Sequence, residues 1–496
     1  GSFTQARLAD EPDGEPDVLS LAGDGSGGLW LGTPAGLWHF DGERVDARYA
    51  AGGGGLAADR AQVIGRAADG TLWIGTTGGV SRWNPAAWTA FPQAAAGVRS
   101  ITGDEARVWI ALDEGLAAWD GQGWRWLANS QVYGLWLDDG GVWFGAEDGL
   151  YRAGPDGTIS PGPSALQGRP VFSLAGDPSG ALWAGSDRGL HQLRNGNVAR
   201  AVTAADGLAD NFVNAIWIAS GGGAVWAGTN RGVSIGDESG WTTVRWEAGS
   251  IDANIVRAIA AGADGSMWAG TDAGLRRLPP GSDAANEAAW LVYTTADGLA
   301  GDSVYSLRVE PNGQLWAGTG GGLSGLDDNG TLEKQDDVWV SHTAEGGLGA
   351  NRVTALWRDA QSRLWIGTER GLIRHIPIRR KPTFEFAGLR AGGELLALLP
   401  DLSLTARQTD VGIEFGGASL ATERLIYRYQ LAGEAWRVSA THRAEVALQP
   451  DQKYLLTAQA FDEDLNASPL ARAAFSVQAI PLQERRWFQV TVIGVL

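Results

Sequence analysis

The chain has 496 residues, with 57 Asp and Glu against 39 Lys and Arg and a formal net charge of −18. So acidic a balance argues against a partner rich in phosphate, and we expect no nucleic-acid partner. The sequence has no cysteine, which excludes disulfides, thiolate metal sites and cysteine nucleophiles. Its five histidines are scattered without zinc-ligand spacing, so we predict no metal site and no cofactor.

The repeat is the first feature of organisation along the chain. A tryptophan between aliphatic residues, a Gly or Ala two residues later, a short polar turn and Gly-Leu or Gly-Val recur 34 to 49 residues apart. The nine copies are centred on Trp30, Trp73, Trp109, Trp143, Trp183, Trp226, Trp268, Trp316 and Trp365. This spacing is typical of a four-stranded propeller blade, so we predict an all-β fold with one β-propeller of about nine blades.

One copy shows how the strands are placed. Residues 256–261 are predicted as the inner strand, Asp264-Gly265 as a tight turn, 267–271 as the second strand and 274–278 as the third. The outer strand is predicted at 290–294. Because blades pack face to face, we expect the nine tryptophans to be core residues.

The ends of the repeat region predict how the ring closes. The ninth copy reaches Pro377 without an outer strand, whereas Phe3–Leu8 precedes the first inner strand. We therefore predict that Phe3–Leu8 pairs with residues 371–376 and closes a propeller spanning 1–378. Eight blades plus a degenerate one is the alternative.

After the repeat, the pattern changes to alternating β segments. Examples are 383–386, 411–415, 425–429, 454–461 and 473–477, which predict an immunoglobulin-like or fibronectin-like sandwich over 379–481. Tyr454 is predicted to form a tyrosine corner. Residues 482–496 contain Trp487-Phe488 before an apolar run, which we interpret as a juxtamembrane segment and the start of a transmembrane helix. An ordinary hydrophobic terminal strand is the alternative.

These motifs together resemble a known family. The copies, with endings such as Tyr293-Thr-Thr-Ala-Asp-Gly-Leu299, look like the two-component regulator propellers, and Tyr427-Arg-Tyr-Gln-Leu-Ala-Gly433 with Trp436 and Tyr454 resembles the Tyr-rich sandwich that follows them. The resemblance implies the ligand-sensing part of a bacterial membrane receptor of the histidine kinase or diguanylate cyclase type. It also implies a position on the periplasmic or extracellular side of the inner membrane and a membrane tether through a C-terminal helix. Because a rigid ring has little reason to deform on binding a small molecule, we further predict a homodimer in the full receptor.

We expect the ligand site where polar residues vary on one face of the propeller. The second residue of each inner strand and the turns after the second strands supply Arg99, Tyr133, Phe172, Arg188, Asn214, Arg231, Arg257, Tyr305 and Arg370; Leu19, Gln62 and Thr354 hold the remaining inner-strand positions. Five arginines, Arg99, Arg188, Arg231, Arg257 and Arg370, predict a basic rim that favours an anionic ligand. A second set, Trp136, Trp217, Trp357 and Arg308, offers stacking surfaces for a small molecule or saccharide, although packing between blades is the simpler explanation for the tryptophans.

Two other classes of function stay open. A carbohydrate-active hydrolase or lyase needs two carboxylates held close together, and the candidates are Glu114, Glu147, Asp148 and Glu369. These lie in turns of different copies, so the sequence gives no reason for two of them to converge, and we predict no catalytic residues. A protein-interaction scaffold is the other alternative.

Overall fold

The computed structural model describes residues 18–478 except short gaps. The gaps are 24–28, 41–44, 50–55, 57–59, 67–71, 77–78, 84–87, 92–96, 105–106, 120–123, 139–140, 178–179, 220–222, 238, 247–250, 347, 349, 360–361, 376–380, 399–401, 406–409 and 420–423. The chain forms two compact units, Gly1–Gly325 with Ser341–Pro377 and Leu326–Val340 with Ile378–Leu496.

Two sheets at the N-terminal side, called the N-terminal pair below, pack against each other. The first contains β1 (Ser20–Gly23), β2 (Leu29–Thr33), β3 (Gly36–Phe40) and β4 (Val45–Tyr49); the second contains β5 (Ala61–Arg66), β6 (Leu72–Thr76) and β7 (Gly79–Trp83). The next strand is β8 (Trp88–Phe91), and it does not join them. Trp30, Leu37, Leu72 and Ile74 are buried between these two sheets.

Seven further sheets, called blades one to seven, follow in the described part of the chain. Blade one contains β9 (Val98–Gly103), β10 (Val108–Leu112), β11 (Gly115–Trp119) and β12 (Trp124–Ala128); blade two contains β13 (Val132–Asp138), β14 (Gly141–Ala146), β15 (Gly149–Ala153) and β16 (Ile159–Pro161). Blade three contains β17 (Val171–Gly176), β18 (Leu182–Ser186), β19 (Gly189–Arg194) and β20 (Asn197–Val202); blade four contains β21 (Val213–Ile218), β22 (Val225–Thr229), β23 (Gly232–Gly236) and β24 (Trp241–Val244). Blade five contains β25 (Val256–Ala261), β26 (Met267–Thr271), β27 (Gly274–Leu278) and β28 (Leu291–Tyr293); blade six contains β29 (Val304–Val309), β30 (Leu315–Thr319), β31 (Leu323–Asp327) and β32 (Val338–His342). Blade seven contains β33 (Val353–Arg358), β34 (Leu364–Thr368) and β35 (Gly371–His375), with β8 as its outer strand.

The seven blades close into one ring, which corrects the predicted closure. Each inner strand contacts the inner strand of the next blade, and β33 of blade seven contacts β9 of blade one. The partner of β35 is β8, in the register Arg374 with Thr89, so Gly371–His375 does not pair with Phe3–Leu8. Phe3–Leu8 itself lies outside the described residues. All nine repeats therefore form sheets, as predicted, but a single ring of nine is wrong, and the first two copies lie outside the ring of seven.

Glycine in the repeated motif explains how neighbouring blades fit. A Cβ on Gly228 would lie 2.7 Å from Val256, and a Cβ on Gly270 would lie 2.7 Å from Val304, the first residues of the next inner strands. A Cβ on Gly367 would lie 2.5 Å from Val98, so the same contact joins the last blade to the first. The motif glycine thus leaves room for the valine of the next blade, and the pattern repeats around the closed ring.

The threonine after that glycine holds the following turn. The Thr229 hydroxyl donates to Gly232 O at 2.8 Å and accepts from Arg231 N at 3.1 Å. Thr271 and Thr368 make the corresponding bond to Gly274 O and Gly371 O. These buried hydroxyls replace the backbone bonds that a tight turn cannot make, which explains the Thr-x-x-Gly pattern.

The predicted core tryptophans are confirmed at seven of the eight positions whose side chains are described. The buried ones are Trp30, Trp109, Trp183, Trp226, Trp268, Trp316 and Trp365, whereas Trp143 is only partly buried. Trp365 belongs to the cluster of Val98, Ile110 and Leu372 that joins blades seven and one. The predicted second and third strands of the fifth blade coincide with β26 and β27.

The second unit contains two packed sheets, as predicted. One contains β36 (Thr383–Ala391), β37 (Glu394–Leu396), β39 (Asp410–Ala418) and β42 (Arg443–Ala447). The other contains β38 (Leu402–Thr405), β40 (Ile426–Leu431), β41 (Arg437–Ser439), β43 (Gln452–Phe461) and β44 (Ala471–Gln478). Between them lies a core rich in Leu, Val and Tyr, in which Tyr427 stacks on Phe415 with ring centroids 4.9 Å apart. The predicted tyrosine corner is present, because the Tyr454 hydroxyl accepts from Gln449 N at 2.6 Å and donates to Gln449 O at 3.2 Å.

Short 3-10 helices connect the strands. They are Ser164–Leu166, Ala204–Asp206, Ile251–Asn254, Glu287–Ala289, Lys334–Asp336 and Ala344–Gly346. No helix in the described ranges is long and apolar enough to cross a membrane, and the predicted membrane-proximal residues 482–496 lie outside those ranges.

Candidate functional site

A β-bulge near the start of every inner strand of the ring creates the candidate site. In blade two, Val132 pairs with Ala146 and Gly134 with Gly145, so Tyr133 has no partner in the ladder. The same shift leaves one residue unpaired in each of the other blades. The seven bulge residues are Arg99, Tyr133, Phe172, Asn214, Arg257, Tyr305 and Thr354. A bulge turns its extra residue out of the sheet, which explains why this one position accepts such different side chains.

We call these seven residues the channel mouth. Bulge side chains of three blades bond to the turn after the second strand of their own blade: Arg99 to Asp113, Asn214 to Asn230, and Arg257 to Asp272. They therefore point towards the edge of the blade where these turns lie. All seven inner strands contribute to one cavity of about 240 Å³, and six of the seven channel-mouth residues line it, the exception being Arg257. The sequence predicted these positions, and the structure brings them together.

Leu19 and Gln62 do not belong to the channel mouth. They occupy the equivalent positions of the N-terminal pair, which the ring leaves out. The strand that carries Gln62 has the same register shift, between Ala61 and Val63. The shift thus occurs in the second copy and in all seven blades of the ring, but not where β1 pairs with β2, and ring closure determines which copies share a cavity.

The predicted basic rim is wrong, because aspartates accompany the arginines. Arg99 Nε lies 2.5 Å from Asp113, and Arg257 makes two bonds to Asp272, of 2.6 and 2.7 Å. Arg231 lies 3.3 Å from Asp210 and Arg188 lies 3.8 Å from Asp187. Arg370 is exposed in the turn of blade seven, next to Glu369. Guanidinium and carboxylate groups thus alternate on this face, so its field does not favour an anion.

Arg99 of blade one and three aromatic side chains form a continuous arc that ends in the loop before blade four. Arg99 lies over the ring of Tyr133 at 5.2 Å, and Tyr133 contacts Phe172 edge to face at 5.3 Å. Phe172 stacks on Phe212, with centroids 5.9 Å apart. Phe212 is 42% exposed, an unusual state for phenylalanine. Sequence reasoning missed Phe212, although its place directly before the inner-strand valine Val213 was a usable signal.

A polar network supports the first part of this arc. The Tyr133 hydroxyl donates to Gln131 Oε1 at 2.9 Å, and Gln131 Nε2 donates to Asp113 Oδ1 at 3.1 Å. Burial raises the pKa of Tyr133, and the nearby Glu147 carboxylate raises it further. Tyr133 therefore stays a neutral phenol at physiological pH and can donate or accept a hydrogen bond.

The arc ends at a second depression, which we call the outer groove. It has a volume of about 580 Å³ and is lined by residues of blades three and four, including Asp187, Arg188, Asp210, Phe212, Arg231 and Arg245. Arg245 is anchored, because its Nη2 donates to Ala209 O at 3.0 Å. The groove brings Arg188 and Arg231, two candidates from the sequence, close to the exposed ring of Phe212.

The second predicted set lies at the opposite end of the inner strands. Trp136, Trp217 and Trp357 pair in register with the motif tryptophans Trp143, Trp226 and Trp365. A Cβ on Gly176 would lie 2.4 Å from the ring of Trp136, and one on Gly103 would lie 2.9 Å from Trp357. Trp217 packs against the cluster between blades four and five. Arg308, in the same register position, lies 3.7 Å from Glu310. The structure does not bring these residues to the cavity. Trp217 and Trp357 are partly buried between blades, and Trp136, although 37% exposed, packs over Gly176 of the next blade.

The carboxylates considered for catalysis stay apart from both depressions. Glu114, Glu147, Asp148 and Glu369 are absent from the described residues that line the cavity or the outer groove. Among the described residues, no group of three or more His, Asp or Glu side chains is placed to hold a metal ion.

Comparisons with known proteins agree with this architecture. No family model matches the sequence, and no curated protein matches it. A solved extracellular domain assigned to a hybrid two-component system of B. thetaiotaomicron is 20% identical, over 94% of this chain and 68% of that one, with a TM-score of 0.55. A second such domain, assigned to a one-component system of B. thetaiotaomicron, is 16% identical over 96% of this chain and 69% of that one, with a TM-score of 0.48. Virginiamycin B lyase from Staphylococcus aureus is 15% identical over 59% of this chain and 98% of its own, with a TM-score of 0.46.

The first of these likenesses establishes the fold. The predicted resemblance to the two-component regulator propellers is thereby confirmed as a likeness of architecture, in which a propeller is followed by a sandwich.

Proposed function

We propose that this chain is the extracytoplasmic ligand-sensing part of a bacterial transmembrane receptor, and that its ligand binds at the channel mouth. The observation that carries the proposal is the convergence of six of the seven bulge residues on one cavity to which all seven inner strands contribute. Fixed blades with one variable, partly exposed position each are a scaffold suited to recognition. The likeness to an extracellular domain of a two-component system supports the receptor role.

The arc from Arg99 to Phe212 determines the ligand chemistry that fits best. Aromatic faces next to paired guanidinium and carboxylate groups suit a saccharide, whose apolar ring faces stack while its hydroxyls accept and donate hydrogen bonds. Because the arc runs from the cavity into the outer groove, an elongated saccharide fits better than a compact anion. The structure gives no support to the enzyme alternative, since the candidate carboxylates do not line this site.

A thermal-shift screen of soluble oligosaccharides tests the proposal. A compound that binds only the folded chain at a concentration 100 times its dissociation constant stabilises it by about 2.7 kcal/mol. We expect Tyr133→Ala and Phe212→Ala to abolish the shift produced by the active compound. Arg437→Ala is the control, because it removes an exposed ion pair with Glu434, 3.1 Å away in the sandwich and far along the chain from the arc. This variant should keep the full thermal shift. An unchanged shift in both aromatic variants would place the site elsewhere.

For the full receptor, we propose a homodimer tethered by a C-terminal helix. A rigid ring has little reason to deform when a small molecule binds, so rearrangement between subunits is the cheaper response. Since the chain has no cysteine, single cysteines at Gln483 or Glu484 report cleanly on crosslinking in the membrane. If no single cysteine placed between positions 478 and 486 forms a crosslink, the dimer is refuted.

A further inference from the structure

The connection between the third and outer strands of blade six has an unusual composition. Residues 327–337, called the acidic segment below, contain Asp327, Asp328, Glu333, Asp336 and Asp337 but a single cation, Lys334. This segment belongs to the second compact unit, together with the sandwich. It is braced internally, because Asp336 accepts from Asn329 Nδ2 at 3.1 Å and from the Thr331 hydroxyl at 2.8 Å.

A buried arginine of the same unit faces this segment. Arg428 lies on β40 between Tyr427 and Tyr429 and is only 5% exposed. Its guanidinium lies 4.9 Å from the centre of the Phe461 ring and 5.4 Å from that of Trp436. Its Nη1 lies 3.7 Å from Asp327 Oδ1. Burial lowers the pKa of Arg428, and Asp327, Asp336, Asp328 and Asp337 oppose that effect by their negative charge.

The charge of Arg428 depends on the acidic segment. Neither Nε nor Nη1 of Arg428 has a hydrogen-bond partner among the described residues. A cation this deeply buried is costly unless carboxylates compensate for the lost water. Removing the carboxylates of the acidic segment therefore leaves the buried charge of Arg428 without compensation, and removing Arg428 leaves those carboxylates without their cation.

We propose that Arg428 and the acidic segment form an anchor that holds blade six to the sandwich unit, and that blade six is therefore the route by which the state of the channel mouth reaches the sandwich. The inner strand of this blade, β29, carries Tyr305 at the channel mouth. Its third strand, β31, ends at Asp327, inside the anchor. One hydrogen-bonded sheet thus contains both ends of the route. The route rests on the proposed function, whereas the anchor does not.

Hydrogen exchange on this chain, without ligand, tests both parts. We compare wild type with Arg428→Met, which keeps the packing between Phe461 and Trp436, and with Asp327→Asn. We expect both variants to speed exchange in residues 328–337 about tenfold or more, because breaking a buried pair is strongly destabilising. The double variant should add little beyond either single one. Arg443→Ala, on β42 in the other sheet of the same unit, removes an exposed ion pair with Glu445 and should leave these amides unchanged.

The distribution of the effect separates the outcomes. Faster exchange that extends into β29, β30 and β31 more than into the inner strands of other blades supports the route. Faster exchange confined to residues 328–337 keeps the anchor and overturns the route. Unchanged exchange in the segment overturns the anchor, and Asp327→Asn still decides this if Arg428→Met does not fold. A failed ligand screen affects none of these results.

Discussion

The two ends of the inner strands in the ring differ in what their side chains contact. At the channel mouth a bulge frees one residue per blade from the ladder, and the seven residues there differ in size, charge and polarity. At the far end the position opposite the motif tryptophan also varies, with Trp136, Trp217 and Trp357 in three blades and Thr102, Ala175, Ala260 and Arg308 in the others. The two ends differ in what these side chains contact, because six of the bulge residues line one shared cavity whereas Trp217 and Trp357 pack against neighbouring blades.

The largest effect should come from the packed end. Trp365 is 1% exposed at the contact of blades seven and one, and its Nε1 donates to Asp359 Oδ2 at 2.8 Å. We expect Trp365→Ala to lower the free energy of unfolding by about 3–5 kcal/mol. Urea denaturation measures this. Trp126→Ala is the control, since Trp126 is 45% exposed. Equal losses in the two variants would contradict the ring closure described here.

A smaller effect should follow at the blade contact itself. Gly367→Ala places a methyl group 2.5 Å from Val98 Cγ1, and we expect a loss of about 1–3 kcal/mol. Gly346→Ala meets no atom within 4 Å and serves as the control in the same denaturation experiment. A neutral Gly367→Ala variant would mean that Val98 does not pack against blade seven.

A further test uses acid titration. Burial raises the pKa of Asp359, but hydrogen bonds from Trp365 and Arg363 outweigh it and hold that pKa below the ordinary value. Its stabilising contribution is therefore present at neutral pH and is lost as the pH falls from about 4 through the lower pKa of the folded state. We expect the stability difference between wild type and Asp359→Asn to shrink on acidification below pH 4. A difference that is constant with pH would show that the carboxylate is not stabilised in the folded chain.

The smallest effect on stability should come from the channel mouth. Arg99→Ala with Arg257→Ala removes two partly exposed ion pairs, each worth less than about 1 kcal/mol. We expect thermal unfolding close to that of wild type, together with loss of the ligand-induced shift. Normal ligand response in this double variant would remove both arginines from the site.

The sequence predicts features that depend on residues close together along the chain, and it predicts poorly those that depend on residues far apart. The strands of blade five and the tyrosine corner of Tyr454 follow from local chemistry, and the sequence predicts both correctly. Local chemistry does not determine which segment supplies the outer strand of the last blade. Both β8 and Phe3–Leu8 precede an inner strand and carry equivalent local signals. Ring size selects between them, and seven blades fall within the usual range of about four to eight, whereas nine do not.

The candidate site divides in the same way. The variable inner-strand position identifies the channel mouth, because bulge residues escape the constraints of pairing. Asp210, which lies 3.3 Å from Arg231, comes from the loop before blade four, so this pair depends on the folded ring, whereas Asp187 is the sequence neighbour of Arg188. The predicted basic rim is wrong because it leaves these carboxylates out of account. The stacking of Phe212 on Phe172 joins two blades and has no counterpart in sequence spacing.

The central claim is that seven blades form one closed ring, with β8 as the outer strand of blade seven, so that all seven inner strands border one cavity. Disulfide trapping tests it directly, because the chain has no native cysteine. Cysteine pairs at Thr89 with Arg374 and at Ala90 with Ile373 are register partners, and adjacent antiparallel pairs alternate in geometry, so at least one should form an intramolecular disulfide. A cysteine pair at Gln5 and Arg374 should form no disulfide. A disulfide at the Gln5 pair, with none at the two β8 pairs, would contradict the account.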